Sequence, residues 1–157
     1  MQTNAIKIAL ATDHGGYELK EGVKKVLEQQ GYKILDYGCN SLKSVDYPDY
    51  IQKAAWAVAQ NQAQFGIVFC GSGVGASIVA NKVPNIRAVL GYNEYVVEYS
   101  RRHNNANILA LGGRLITPDL ALRFISLWLH TPFEGERHNL RLEKITQLEK
   151  SCKEQNL

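Results

Sequence analysis

Residues 6–12, IKIALAT, place apolar side chains alternately at Ile6, Ile8 and Leu10 and then break into the polar turn DHGG. Alternation of period two closing on a glycine turn predicts a strand that empties into a loop. Leu19, Val23, Val26 and Leu27 then recur at helical spacing up to Gly31, a stop signal, and KILDYG (33–38) predicts a second strand. Ile51, Ala55 and Val58 mark a helix after Pro48, with Tyr47 left in the preceding loop. GIVFC (66–70) is the third strand, followed by a glycine loop opening a helix to about Lys82. RAVLG (87–91), a helix over about 93–103, and ILALGG (108–113) continue the alternation. Helices over about 118–130 and 136–150 close the chain, with Pro118 where a first helical turn tolerates proline. The polar end SCKEQNL is expected to fray.

Short apolar strands alternating with amphipathic helices imply right-handed crossovers and a parallel sheet covered on both faces. The expected fold is therefore α/β, a three-layer sandwich around a five-stranded parallel sheet. Ligands of such sheets bind at the carboxyl ends of strands, which directs attention to the turns at 13–16, 38–47, 70–75, 91–94 and 112–114.

The 157 residues suit one domain over 1–157, and neither a repeat nor a linker interrupts them. No leader-like stretch or membrane-length apolar run is present, and three cysteines, Cys39, Cys70 and Cys152, fit neither disulfide pairing nor zinc spacing. A cytoplasmic protein is expected. A formal charge of +3 without a basic, aromatic-interleaved block argues against nucleic acid. Six of the seven arginines lie beyond residue 100. The guanidinium fork suits phosphate and carboxylate, so this bias points to a small anionic ligand, although each arginine alone also suits a solvated helix face.

The chemistry concentrates in FCGSGVGASIVANK (69–82). Gly71, Gly73 and Ala76 satisfy the permissive dinucleotide pattern, but the loop follows the third strand and the next strand ends at Gly91–Tyr92 without an acid for a ribose hydroxyl. No Gly-Lys dipeptide exists, which excludes a Walker loop. What remains is a run of backbone N–H groups, Gly71 to Gly75 with Ser72 and Val74, suited either to a static phosphate or to charge that develops on an enolate oxygen. Cys70 stands at its entrance. A thiol there serves as nucleophile or base, or simply ends a core strand as a small hydrophobe.

Other polar residues gather at strand ends. Asp13 and His14 tip the first strand and Arg114 the fifth. His103 and Asn104 end the fourth helix, where a histidine also suits the helix dipole. Arg137, Arg141 and Lys144 share one face of the last helix, with His138 adjoining, either as a phosphate clamp or as a solvated flank. Tyr47 is suited to contact a sugar or to fill its loop. His130 has no role assigned.

DHGG, DYPDY (46–50), CGSGVGASIVANKVPNIRAVL (70–90), RRHNNANILALGGR (101–114) and FEGERHNLRLEKI (133–145) together resemble the type B ribose-5-phosphate isomerases, in a wider group acting also on allose and galactose 6-phosphates. The resemblance implies a Rossmann-like fold and an aldose–ketose isomerase of the non-oxidative pentose phosphate pathway, using neither metal nor organic cofactor. It implies a homodimer or homotetramer with shared sites, the last helix taking part in dimer contacts. On the matching positions it makes Cys70 the base and His103 the acid that opens the sugar ring. A second branch of the family carries a glutamate where Ala76 stands here and lacks the cysteine. Asp13, His14, Asn104, the Gly71–Gly75 backbone, Ser72, Arg114, Arg137 and Arg141 match substrate-holding positions. Isomerisation of a hexose phosphate and a non-catalytic sugar-phosphate sensor are the alternatives.

Overall fold

The computed structural model describes residues 5–154. In chain order the elements are β1 (Lys7–Thr12), α1 (Tyr17–Gln29), β2 (Lys33–Asp36), α2 (Tyr47–Ala59), β3 (Phe65–Cys70), α3 (Val74–Ala80), β4 (Ala88–Leu90), α4 (Glu94–Asn104), β5 (Ile108–Gly112), α5 (Pro118–His130) and α6 (Arg137–Glu154). All pairings are parallel and the strand order is β2-β1-β3-β5-β4. The chain steps from β1 outward to β2 and then back across β1 to β3. That reversal leaves a crevice at the carboxyl ends of β1 and β3, where open α/β sheets bind ligands.

Strand side chains divide by parity between two cores. Ala9, Ala11, Val68, Cys70, Ile108 and Ala110 face α2 and α3, whose own contribution is largely alanine: Ala54, Ala55, Ala57, Ala76 and Ala80. Small residues on both sides let these helices approach the sheet closely. The opposite face is bulkier, with Ile8, Leu10, Ile67, Phe69, Leu109 and Leu111 packed on Leu19, Val23, Val97, Phe124, Ile125 and Trp128 of α1, α4 and α5. Each large side chain buried there contributes about 1.5–3 kcal/mol, and Phe69→Ala would cost about 3–5 kcal/mol through the cavity it leaves.

The expected alternation is present, with shifted boundaries. β2 stops at Asp36 because its carboxylate turns the chain, accepting from the Gly38 N–H at 2.9 Å. α3 ends at Ala80, short of Lys82, and Asn81 then bridges to β4, donating to the Ala88 carbonyl and accepting from its N–H. Tyr47 is the first residue of α2, not part of the loop, because Pro48 occupies the first turn. α6 runs on to Glu154, so 151–154 are helical; 155–157 lie outside the described residues. Among the described residues no helix is long and apolar enough to cross a membrane.

Lys20 is fully buried, and its ammonium donates to both Asp36 oxygens, at 3.0 and 2.9 Å, and to the Cys39 carbonyl at 2.9 Å. Thr12 exchanges backbone bonds with the same turn, its N–H donating to Gly38 O and its carbonyl accepting from Cys39 N–H. The loop over 38–46 is thereby pinned to the end of β1, and with it the start of α2.

Candidate active site

β1, β3 and β5 are neighbours, so Asp13, Cys70 and Arg114 emerge side by side from their carboxyl ends. The loops there interlock through backbone bonds, Gly113 N–H to Cys70 O at 2.8 Å and Arg114 N–H to Gly71 O at 3.0 Å. A Cβ on Gly113 would lie 2.5 Å from the Gly15 carbonyl oxygen, so only glycine admits this contact between the β1 and β5 turns. Gly73, at φ +80°, adopts the left-handed conformation that reverses the chain into α3. Its N–H consequently points at Cys70 Sγ, 3.1 Å away. The thiol is 5% exposed. Negative charge on that sulfur, or on an oxygen beside it, is met by an oriented N–H donor with little competing water.

A cavity of about 580 Å³ opens over this loop, lined by Asp13, Tyr47, Cys70, Gly71, Ser72, Val74, Gly75, Ile78, Arg114 and Leu115. The Tyr47 ring lies over Gly75, where an added Cβ would come within 2.8 Å of it. Arg114 covers Gly71 in the same way, its Nη1 3.2 Å from where a Cβ would stand. Asp13 Oδ1 accepts from the Gly15 N–H at 2.8 Å, which holds the carboxylate over the β1 turn. His14 lines an adjoining hollow with Arg114, and its Nδ1 accepts from the Val45 N–H at 3.2 Å. Its Nε2 is thereby left as the donor nitrogen.

His103, Asn104, Arg137 and Arg141 are elsewhere. α4 descends from the carboxyl end of β4 and finishes beside the amino ends of the strands, where the Asn104 carbonyl accepts from Arg87 Nε at 2.9 Å. Cys70 pairs with Gly112 at the other end of β5. The intervening strand alone spans about 13 Å at ~3.3 Å per residue. Within one chain, therefore, the two histidine- and cysteine-bearing clusters do not meet.

The second cluster is nevertheless organised. The His103 and His138 rings stack with centroids 4.2 Å apart and planes 17° from parallel. Both Nε2 atoms lie 3.6 Å from Glu134 Oε2. Arg102 grips that carboxylate through Nε at 2.6 Å and Nη2 at 2.5 Å. Arg102 holds the Glu134 carboxyl below the usual carboxylate range, against partial desolvation. Burial holds His138 below the ordinary imidazole range, assisted by His103, Arg137 and Arg141 and opposed by Glu134. Arg141 Nη1 lies 3.4 Å from His138 Nδ1, and among the described residues His138 Nε2 is a buried nitrogen without a hydrogen-bond partner.

Glu134 was missed as a site residue in the sequence, and His138 was given only as a neighbour of the arginine face; the visible signal was that FEGERHNLR packs two acids, a histidine and two arginines into one short run. The donors of His103, Glu134 and His138 lie within 4.8 Å of one another, a residue set able to ligate a divalent cation. Three guanidinium groups near the cluster and the near-parallel rings suit an anion better, since ligating imidazoles must point at one centre. Two of the remaining late arginines serve structure. Arg101 is buried against Phe65 and Trp128 and donates to the Ala106 carbonyl at 2.6 Å, and Arg123 pairs with Glu94.

A family model described as Ribose/Galactose Isomerase matches residues 8–145. Ribose-5-phosphate isomerase B of Escherichia coli is 42% identical over 143 residues, covering 91% of this chain and 96% of that protein. The D-erythrulose-4-phosphate isomerase of Pectobacterium atrosepticum is 37% identical over 151 residues, covering 96% and 99%. The solved ribose-5-phosphate isomerase B of Clostridium thermocellum superposes with a TM-score of 0.92 at 48% identity, covering 94% of this chain and 99% of that one.

Proposed function

The chain belongs to the ribose/galactose isomerase family, and on that premise we propose that it interconverts D-ribose 5-phosphate and D-ribulose 5-phosphate through a cis-enediolate. The observation that carries the reading is the Gly73 N–H directed at Cys70 Sγ inside a cavity that also holds Asp13 and Arg114. Aldose–ketose isomerisation removes a proton from the carbon beside a carbonyl. The resulting charge exists only during the reaction, so N–H groups placed where it forms accelerate the step, one donor contributing about 3 kcal/mol.

Cys70 is the base that takes the C2 proton and returns it to C1, and the Gly71–Gly75 backbone with Ser72 receives the enediolate oxygen. Ring opening precedes this step. The furanose oxygen gains a proton from His103, the bond from C1 to that oxygen breaks with its electron pair going to the oxygen, and the anomeric hydroxyl releases its proton to solvent. Asp13, His14, Tyr47, Asn104 and Arg114 hold the sugar, and Arg137 and Arg141 the phosphate, which orients the reacting end.

Because Cys70 and His103 stand at opposite ends of the sheet, this mechanism requires the His103 cluster of a second copy to close over the Cys70 cavity. α6 supports such an assembly. Its Leu140, Ile145 and Leu148 are 59%, 48% and 64% exposed, apolar side chains interleaved with Arg141 and Lys144 that a second copy would cover.

Turnover of ribose 5-phosphate by chelator-treated protein, beside Cys70→Ala, tests the reading. Activity that survives chelation and disappears in the variant is expected; a variant of near-normal rate would remove Cys70 from the base role. The erythrulose-phosphate relative favours running four- and six-carbon phosphates in parallel, and faster turnover of either would reassign the substrate.

A further inference from the structure

Resting on His103 as the ring-opening acid, we infer that Glu134 is the positioning residue that decides which nitrogen of His103 meets the sugar. The Glu134 carboxylate is itself immobilised. Two Arg102 nitrogens hold Oε1, Arg102 is braced on its other side by Glu98 at 3.0 Å, and the Glu134 N–H donates to the Arg102 carbonyl at 3.0 Å. Its second oxygen, Oε2, faces His103 Nε2 at 3.6 Å. This separation is an ion-pair distance longer than a hydrogen bond, and such contacts in unliganded sites tighten in the complex.

The ring has little freedom to turn. The His103 imidazole is sandwiched between His138, stacked at 4.2 Å, and the edge-on Tyr99 ring at 4.8 Å, and Arg102 lies over the same Tyr99 at 4.9 Å. Flipping it would turn Nδ1 toward Glu134 and give up the one acceptor aimed at Nε2. With Nε2–H directed at the carboxylate, Nδ1 is the nitrogen left for substrate. It carries the proton that passes to the ring oxygen, after which His103 is neutral and retains Nε2–H toward Glu134. This is the logic by which a buried carboxylate holds a catalytic imidazole in one tautomer.

His138 supports the arrangement from the other side. Arg141, a donor only, faces its Nδ1, so His138 also turns Nε2–H toward Glu134 Oε2. The charged and titratable groups facing His103 are thus Glu134, Arg102, His138 and Tyr99, with Arg137 and Arg141 behind His138. One carboxylate serves two imidazoles.

The test compares wild type, Glu134→Ala and Glu134→Asp by two readouts. The nitrogen-15 shifts of His103, assigned by their disappearance in His103→Asn, report its tautomer without any substrate. Solvent-hydrogen exchange at C1 of ribulose 5-phosphate, an open-chain sugar, reports the Cys70 step, whereas turnover of cyclic ribose 5-phosphate includes ring opening. Expected are, with the ring neutral, an Nε2–H tautomer in wild type and a mixture in Glu134→Ala, ribose turnover of that variant reduced about tenfold or more with C1 exchange retained, and recovery of both in Glu134→Asp. An unchanged tautomer overturns the inference, as does an equal loss of ribose turnover and C1 exchange. Absence of isomerase activity in the wild type would instead sink the proposed reaction, while the tautomer readout still decides the Glu134–His103 contact.

Discussion

Tyr47 and Gly75 show how much of the candidate site is made by residues without reactive groups. The tyrosine ring reaches the glycine loop only because Gly75 has no side chain, a Cβ there standing 2.8 Å from the ring. Gly75→Ala should displace Tyr47 from the cavity and raise KM for the sugar phosphate several-fold with a smaller change in kcat, measured by steady-state kinetics. Equal KM values would mean that Tyr47 does not touch substrate. Lys20 and Asp36 act at the same scale. Burial pushes the Asp36 carboxyl up, but the Gly38 N–H and the Lys20 and Lys24 ammoniums outweigh it, and the net displacement is downward. A folded-state value below the unfolded one, near ~3.9, gives stabilisation that is complete above that pH and lost as pH falls through the folded-state value. Thermal melts should therefore show wild type losing stability below about pH 4 more steeply than Asp36→Asn. At neutral pH that variant should be less stable by about 3 kcal/mol, because it leaves the fully buried Lys20 ammonium with the partly exposed Glu21 carboxylate, 2.9 Å away, as its remaining anionic partner.

At the scale of elements, the turn from β3 into α3 joins fold to chemistry. Gly73 at φ +80° lets α3 begin immediately after the loop, and a Cβ there would lie 2.7 Å from Leu90 Cδ1 and 2.9 Å from the Leu111 carbonyl carbon. Gly73→Ala combines a left-handed strain of about 1 kcal/mol or more with that collision. It should lower the melting temperature and slow turnover together. A variant that melts earlier but keeps the wild-type rate would separate the loop geometry from the enediolate step. The positions of β3, α3 and the glycine loop were legible in 66–82, since a strand run, three glycines and a helical pattern follow one another without interruption. Tyr47 was misplaced for a physical reason. Pro48 reads as a break, yet a proline in the first helical turn sacrifices no hydrogen bond, and the helix simply starts before it.

On the scale of the whole molecule, the parallel topology separates the two clusters. Every helix that follows a strand returns its chain to the amino end of the sheet, so α4 carries His103 away from the end where β3 delivers Cys70. If a second copy completes each site, mixing two inactive variants, Cys70→Ala and His103→Asn, under conditions of subunit exchange should restore about a quarter of wild-type activity. Random pairing makes half of the dimers mixed, each with one intact site. No recovery despite proven exchange would overturn the shared site. Leu140→Asp with Leu148→Asp should shift the protein toward monomer in light scattering and remove turnover, since both leucines are exposed apolar side chains of α6.

The order of strands and helices, the carboxyl-end turns and the glycine loop with its cysteine were determined by the sequence itself, because apolar period and glycine chemistry are local properties that need no partner to be read. Sheet order, the split of the strand residues into an alanine-rich face and a bulky face, and the pinning of the 38–46 loop by Lys20 were decided only in three dimensions. The same holds for the joining of His103, Glu134 and His138. Residues 103 and 138 lie on separate helices, and nothing in either helix's own pattern announces the other. Their rings stack because α5 brings the chain back to the amino end of the sheet, so that α6 begins where α4 stops, a consequence of packing whole elements and not of any short stretch of chain.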